Sequence, residues 1–87
     1  MLSKERQRYT EKVLFTYSTE HLPKKDKVRF YYALKGRDGD SGIVVGYEID
    51  HLGRTVLLVP QKFESQVDEF MQYWKCKHQK RNVLVEK

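Results

Sequence analysis

Residues 55–81 constrain the fold more than any other part of this chain. An apolar run, Thr55–Val59, stops at Pro60, and apolar residues then recur at helical spacing: Phe63, Val67, Phe70, Met71 and Trp74. A short apolar run bounded by a proline is typical of a buried strand, and the later spacing is typical of an amphipathic helix. The region therefore predicts a strand and then a helix over about 61–79, with a strongly cationic end at Lys75–Arg81.

The preceding segment supplies a partner for that strand. Residues 36–42 hold three glycines and two aspartates, a composition typical of a loop. The apolar run Ile43–Ile49 predicts a second strand, and a turn over residues 50–54 joins it to Thr55–Val59 as an antiparallel hairpin. Val83–Val85 predicts a short edge strand or a frayed terminus.

Residues 22–36 fit two structures. Pro23 suits the first position of a helix and Gly36 suits the position just past its end, so capping favours a helix. Strict alternation of Val28, Phe30, Tyr32 and Leu34 with other residues favours a strand instead. We take the helix as the first prediction and keep the strand as the alternative.

The first segment is similarly divided. Tyr9, Val13 and Tyr17 recur at a spacing of four, which predicts a helix from Ser3 to about Tyr17. A strand over residues 13–18, with Val13, Phe15 and Tyr17 on one face, is the alternative.

These elements predict a single α+β domain over residues 1–87, in the order α-α-β-β-α. The alternative is a four-stranded antiparallel meander (13–18, 27–35, 43–49 and 55–59) with a C-terminal helix, which exposes Arg29, Tyr31 and Lys35 on one sheet face. In its order of elements, and in the strand–proline–helix junction at Leu57–Val67, this alternative resembles the PC4-like single-stranded-DNA-binding fold. In either case the expected core aromatics are Phe15, Phe30, Tyr32, Phe63, Phe70 and Trp74, with Tyr31 and Tyr73 exposed.

Composition limits the class of protein. The chain is 39% hydrophobic and 13% aromatic, which is too apolar for a disordered tail. A net charge of +5 and a pI of about 9.4 indicate polyanionic partners. One cysteine excludes a disulfide framework and fits a reducing, cytoplasmic compartment. No secretory signal is recognised, and no apolar run approaches the ~20 residues of a membrane span.

Basic residues form the candidate nucleic-acid-binding set. Cations that neutralise phosphates release counterions and so give affinity without sequence preference, on DNA or RNA and on single or double strands. Neighbouring aromatics, such as Tyr73 and Trp74 beside Lys75, add stacking. A diluted basic cluster lies at Lys4, Arg6, Arg8 and Lys12. The candidate residues are Lys24, Lys25, Lys27, Arg29, Arg37, Arg54, Lys75, Lys77, Lys80 and Arg81.

Catalytic and metal-binding patterns are weak. Lysines beside Cys76 favour a lowered thiol pKa, but no histidine has the spacing of its base. Ser41 lacks a nucleophile elbow, and the glycines at 36, 39 and 42 do not form a phosphate-binding loop. Asp38 and Asp40 lack the spacing of a calcium loop. We therefore expect no enzyme activity, no metal and no cofactor.

The sequence favours a non-enzymatic nucleic-acid-binding domain with weak sequence selectivity. The alternative is a small basic accessory subunit of a larger replication, transcription or ribosomal assembly, docking through its aromatic face. Homodimerisation through a strand edge, at Ile43–Ile49 or Val83–Val85, is a third hypothesis.

Overall fold

One antiparallel sheet and two principal helices make up the structure, a computed structural model that describes residues 8–38 and 41–86. The elements are β1 (Tyr9–Tyr17), α1 (Lys24–Lys35), α2 (Ile43–Gly46), β2 (Asp50–Gly53), β3 (Val56–Pro60), a 3-10 turn (Gln61–Phe63), α3 (Glu64–Tyr73) and β4 (His78–Glu86). The α+β class is confirmed. With the single-turn α2 set aside, the order β-α-β-β-α-β is that of ferredoxin-like folds.

The sheet has the strand order β2-β3-β1-β4, and every neighbouring pair is antiparallel. β1 is central: Lys12–Thr16 pairs with β3, and all nine residues of β1 pair with β4. The β2–β3 hairpin differs from the predicted one, because its first strand is Asp50–Gly53, within the predicted turn; Asp50 lies opposite Leu58, with a register shift between His51 and Gly53. The ends of β1 therefore set the two ends of the domain.

The core lies on one face of the sheet. Val13, Phe15 and Tyr17 of β1 point towards the helices, and the buried residues of α1 and α3 pack against them. Those helix residues are Phe30, Leu34, Val67 and Met71. Lys12, Leu14 and Thr16 alternate with the core residues along β1 and so lie on the opposite face, which no described helix covers.

Residues 9–17 form a strand, so the predicted N-terminal helix is wrong in the described part; its start at Ser3 lies outside the described residues. A spacing of four is even, so Tyr9, Val13 and Tyr17 share a face in a strand as well as in a helix. Phe15 separates the two structures. It is fully buried between Val13 and Tyr17, as only a two-residue period allows.

Residues 24–35 form the predicted helix. Phe30 and Leu34 are fully buried, whereas Val28 and Tyr32 are 44% and 46% exposed, as a helical period requires. Tyr32 is therefore outside the core, contrary to expectation. The four-stranded meander and its PC4-like order are not observed, because Arg29, Tyr31 and Lys35 lie on this helix.

The strand expected at residues 43–49 is wrong. Ile43–Gly46 is a single helical turn, and Tyr47 stacks on Phe63 with ring centroids 4.9 Å apart. Gly42 lies against the Leu34 carbonyl, where a Cβ would clash, so the chain turns back tightly beneath the end of α1. Ile43, Val44, Tyr47 and Ile49 pack on the core, whereas Val45 is exposed, and the segment therefore presents no strand edge for dimerisation.

The last helix ends at Tyr73 instead of near residue 79. The Cys76 N–H donates to the Met71 carbonyl (2.9 Å) and the Lys75 N–H to the Gln72 carbonyl (3.0 Å), the two hydrogen bonds of a Schellman motif. The chain then enters β4, a nine-residue edge strand that is longer than the expected Val83–Val85. Lys75–Arg81 is thus a loop followed by a strand.

Candidate nucleic-acid interface

Three connections meet at the end of the sheet where β1 finishes. The Tyr17 N–H donates to the Thr55 carbonyl (3.1 Å), which joins β1 to the β2–β3 turn. The Ser18 N–H donates to the Lys77 carbonyl (3.0 Å), which joins the β1–α1 loop to the α3–β4 loop. His21 Nε2 donates to the Trp74 carbonyl (2.9 Å) between the same two loops. These three hydrogen bonds therefore fix the connections side by side.

Six cations lie on these connections and on the first turn of α1, and we call them the cationic end: Lys24, Lys25, Lys27, Arg54, Lys75 and Lys77. Five are exposed and Lys27 is half-buried. The same stretches carry only two carboxylates, Glu20 and Asp26. Within residues 8–38 and 41–86, none of the six forms an ion pair. Six of the ten candidate residues thus come together at one end.

A buried tyrosine holds the β2–β3 turn at this end. The Tyr17 hydroxyl donates to the Arg54 carbonyl (3.1 Å), and burial is the main cause that raises the pKa of Tyr17 far above its usual range. The phenol therefore stays protonated and keeps its donor. This contact fixes the backbone of Arg54 while its side chain remains exposed.

Lys75 has a left-handed backbone with a φ of 55°. This is the Schellman position that glycine usually occupies, and an L-residue there costs roughly 1 kcal/mol. Met71, in the last turn of the helix, and Cys76, just after Lys75, are both buried. Burial of these two residues holds the turn in place. The backbone thus directs a cation out of the turn at a conformational cost.

Two further candidates lie on or beyond α1. Arg29 is exposed on the outer side of the helix, one turn beyond Lys25. Arg37 follows the C-terminus of α1, at the opposite end of the domain, and its guanidinium lies 5.2 Å from the Tyr32 ring centroid. Arg29 extends the cationic end along α1, and Arg37 is separate from it.

Lys80 and Arg81 point to opposite faces of the sheet. Lys80 faces α3, where its ammonium lies 3.3 Å from Glu64 Oε2 and 3.5 Å from Asp68 Oδ1. Arg81 pairs with Leu14 in the sheet and lies on the face away from the helices. Strand alternation therefore removes both residues from the cationic end, although they follow Lys77 closely in sequence.

His78 completes the group around Lys80, and we call Glu64, Asp68, His78 and Lys80 the ion-pair network. His78 Nε2 lies 2.8 Å from Asp68 Oδ1, and Nδ1 lies 2.9 Å from the Cys76 carbonyl. Both neighbours are acceptors, so each of these two bonds requires a proton on the ring nitrogen that makes it. The hydrogen bond from His78 is the main cause that lowers the pKa of Asp68. This network joins β4 to α3.

The uncovered sheet face has an aliphatic and polar surface. The strand residues that alternate with core positions include Lys12, Leu14, Leu58, Arg81 and Val83, and none of the described ones is aromatic. RNA-binding four-stranded sheets stack bases on aromatic residues of the sheet face. That mode of recognition does not suit this sheet.

The N-terminal basic cluster is only partly described. Lys4 and Arg6 lie outside the described residues, Arg8 is exposed, and Lys12 lies 3.8 Å from Asp50 Oδ2.

Other chemical features are limited. Burial raises the pKa of the Cys76 thiol, contrary to the lowering expected from its lysine neighbours. Among residues 8–38 and 41–86, no group of three or more His, Cys, Asp or Glu residues can hold a metal ion; Asp40, one of the two loop aspartates, lies outside them. In the same segments no helix has the length and apolar character to cross a membrane.

Comparison of the chain with protein-family models, with curated proteins and with solved structures gives no match.

His21 is the residue at the cationic end that the sequence did not indicate, because its partner, Trp74, is 53 positions away.

Proposed function

We propose that the protein is a non-enzymatic nucleic-acid-binding domain that holds phosphates at its cationic end. The observation that supports this most is the meeting of three loops whose six cations have no ion-pair partner among the described residues. Elsewhere in the described chain, Lys12 and Lys80 are paired with carboxylates, and the remaining cations have no ion pair either, so the clustering of the six supports the proposal more than their lack of partners does. The single free cysteine supports a cytoplasmic location.

Binding would be electrostatic. The cations are on loops and on a helix N-terminus, where free N–H groups and the helix dipole also favour anions. Contacts from these cations to phosphates carry no sequence information, so sequence selectivity would be weak. Affinity would fall steeply with salt, since each neutralised phosphate releases counterions.

The test is binding of labelled single- and double-stranded oligonucleotides, in both DNA and RNA, over a series of salt concentrations. We expect a linear fall of log K with log salt, with a slope of about −3 to −5 from four to six phosphate contacts. Binding that is absent at low salt, or that does not respond to salt, would rule out the proposal.

A second candidate function is a small accessory subunit of a larger assembly. Its support is the sheet face away from the helices, which exposes Leu52 and carries Leu14, Val56 and Val83. The expected aromatic docking face is not formed in the described structure, because only Tyr32 of the six expected core aromatics is exposed. Docking would therefore use aliphatic residues. Co-elution of a stoichiometric protein partner with the wild-type chain in gel filtration, lost in Leu14→Glu, would support this function. Elution of the wild-type chain as a monomer without a partner would count against it.

A further inference from the structure

Tyr73 is an aromatic side chain directed into solvent at the cationic end. Its side chain is 79% exposed, the largest value among the large apolar residues of the described segments. It occupies the last position of α3, two residues before Lys75. Exposure of so large a ring loses the stabilisation that burial gives to aromatic side chains.

The ring is supported from one side. It meets the Trp74 ring at 5.5 Å and 81°, and Trp74 meets Phe30 at 5.7 Å and 85°. Phe30 is fully buried in the core. The three rings thus form an edge-to-face series that runs from the core to the surface, with Tyr73 at its outer end. A ring held in this way loses little freedom when a second ring stacks on it.

Two lysines and a loop contact lie next to this position in the chain. Lys75 and Lys77 follow it in the α3–β4 loop, and the carbonyl of Trp74 accepts a hydrogen bond from His21 of the β1–α1 loop. Tyr32, the comparable exposed tyrosine on α1, differs because the Arg37 guanidinium lies over its ring. Tyr73 has no such cation on its face among the described residues.

We propose that Tyr73 stacks on an unpaired base of a single-stranded nucleic acid whose phosphates contact Lys75 and Lys77. The inference rests on the proposed function and names its ligand class. A base offers its face to a protein ring only when it is unpaired and unstacked, so a duplex gains nothing from this side chain. The cations alone hold either form, and Tyr73 makes the single strand the tighter ligand.

The experiment compares Tyr73→Ala, Tyr73→Phe and Tyr32→Ala with the wild-type chain. The affinity of each chain is measured for a single-stranded DNA, for a single-stranded RNA of the same sequence and for the duplex, at one salt concentration. Stacking contributes about 1–3 kcal/mol per base, so Tyr73→Ala weakens single-strand binding about 5- to 150-fold. Duplex binding changes less than about 2-fold, Tyr73→Phe retains affinity, and Tyr32→Ala matches the wild type.

Trp74, the one tryptophan, supplies an independent readout because its ring touches Tyr73. Its emission should change with a single-stranded oligonucleotide and stay constant with inorganic polyphosphate, which carries charge without bases. The DNA and RNA arms identify the sugar, since a base stacks in both. A loss confined to one of them still supports the proposal.

The outcomes separate this inference from the proposed function. Wild-type single-strand affinity in Tyr73→Ala, with salt-dependent binding retained, overturns stacking and leaves the phosphate-binding proposal intact. Equal weakening of single-strand and duplex binding also overturns it, because base stacking requires a difference. Failure of the wild-type chain to bind any oligonucleotide at low salt overturns both.

Discussion

Two lysine-bearing regions, only a few residues apart, differ in what surrounds them. At the cationic end, Lys75 and Lys77 lie on a loop with no ion-pair partner among the described residues. In the ion-pair network, Lys80 contacts Glu64 and Asp68. One region has charge available for a ligand and the other uses its charge to join β4 to α3. Position in the fold, rather than spacing in sequence, decides which lysines are free.

Reversing charge at the cationic end should have the largest effect. We expect Lys75→Glu combined with Lys77→Glu to weaken oligonucleotide binding by on the order of 100-fold, because two phosphate contacts become repulsions. Fluorescence anisotropy measures the change. The matched control is Lys35→Glu with Lys62→Glu, which changes the net charge equally at the opposite end. Similar losses in both variants would show that overall charge, and not this end, governs binding.

The sequence predicts the secondary structure correctly for some segments and not for others. Tyr9, Val13 and Tyr17 fit a helix and a strand equally, since four is an even number, and the burial of Phe15 decides for a strand. Phe30 and Leu34 have the same ambiguous spacing, but Pro23 and Gly36 flank them and correctly indicate a helix. End signals therefore resolved what periodicity left open.

The candidate site, too, was predictable from the sequence only in part. The cations themselves were visible in the sequence, and six of the ten converge. The sequence did not show that α3 ends at Tyr73, because the residue at the left-handed position is Lys75 rather than the usual glycine. Without that helix end, the sequence groups Lys80 and Arg81 with Lys77 in one basic stretch. The contacts between loops, such as Ser18 with Lys77, join positions too distant for local patterns to report.

Removing a partner in the ion-pair network should affect stability and not binding. We expect Asp68→Asn to lower the free energy of unfolding by about 1 kcal/mol, because His78 and Lys80 lose their shared carboxylate at a partly exposed site. Urea denaturation measures it. Glu69→Gln, the same charge change one residue further on, should leave stability unchanged. A weaker oligonucleotide affinity in Asp68→Asn would contradict the claim that the ion-pair network contributes to stability and not to binding.

Relieving the backbone at Lys75 should separate conformation from charge. Glycine adopts a positive φ without strain, so Lys75→Gly should raise the free energy of unfolding by up to about 1 kcal/mol. The same variant loses one phosphate contact and should bind about 3-fold more weakly. Lys77→Gly loses the same charge without relieving a positive φ. If Lys75→Gly is not more stable than Lys77→Gly, the positive φ at residue 75 does not strain the turn.

Acid should weaken the ion-pair network. The hydrogen bond from His78 holds the pKa of Asp68 below its usual range, so the carboxylate stabilises the fold at pH values above its unfolded pKa of about 3.9. That stabilisation is lost as the pH falls through the lower, folded-state pKa. Unfolding free energies measured from pH 5 downward should therefore fall more in the wild type than in Asp68→Asn. Parallel curves would contradict this.

The salt dependence of binding tests the central claim most directly. The triple variant Lys24→Gln, Lys75→Gln and Lys77→Gln removes three proposed phosphate contacts, and Lys35→Gln, Arg37→Gln and Lys62→Gln removes the same charge at the other end of the domain. With single-stranded DNA, the first triple should reduce the slope of log K against log salt by about 2. The second should keep the wild-type slope. Equal slopes for the two triples would contradict a phosphate-binding cationic end.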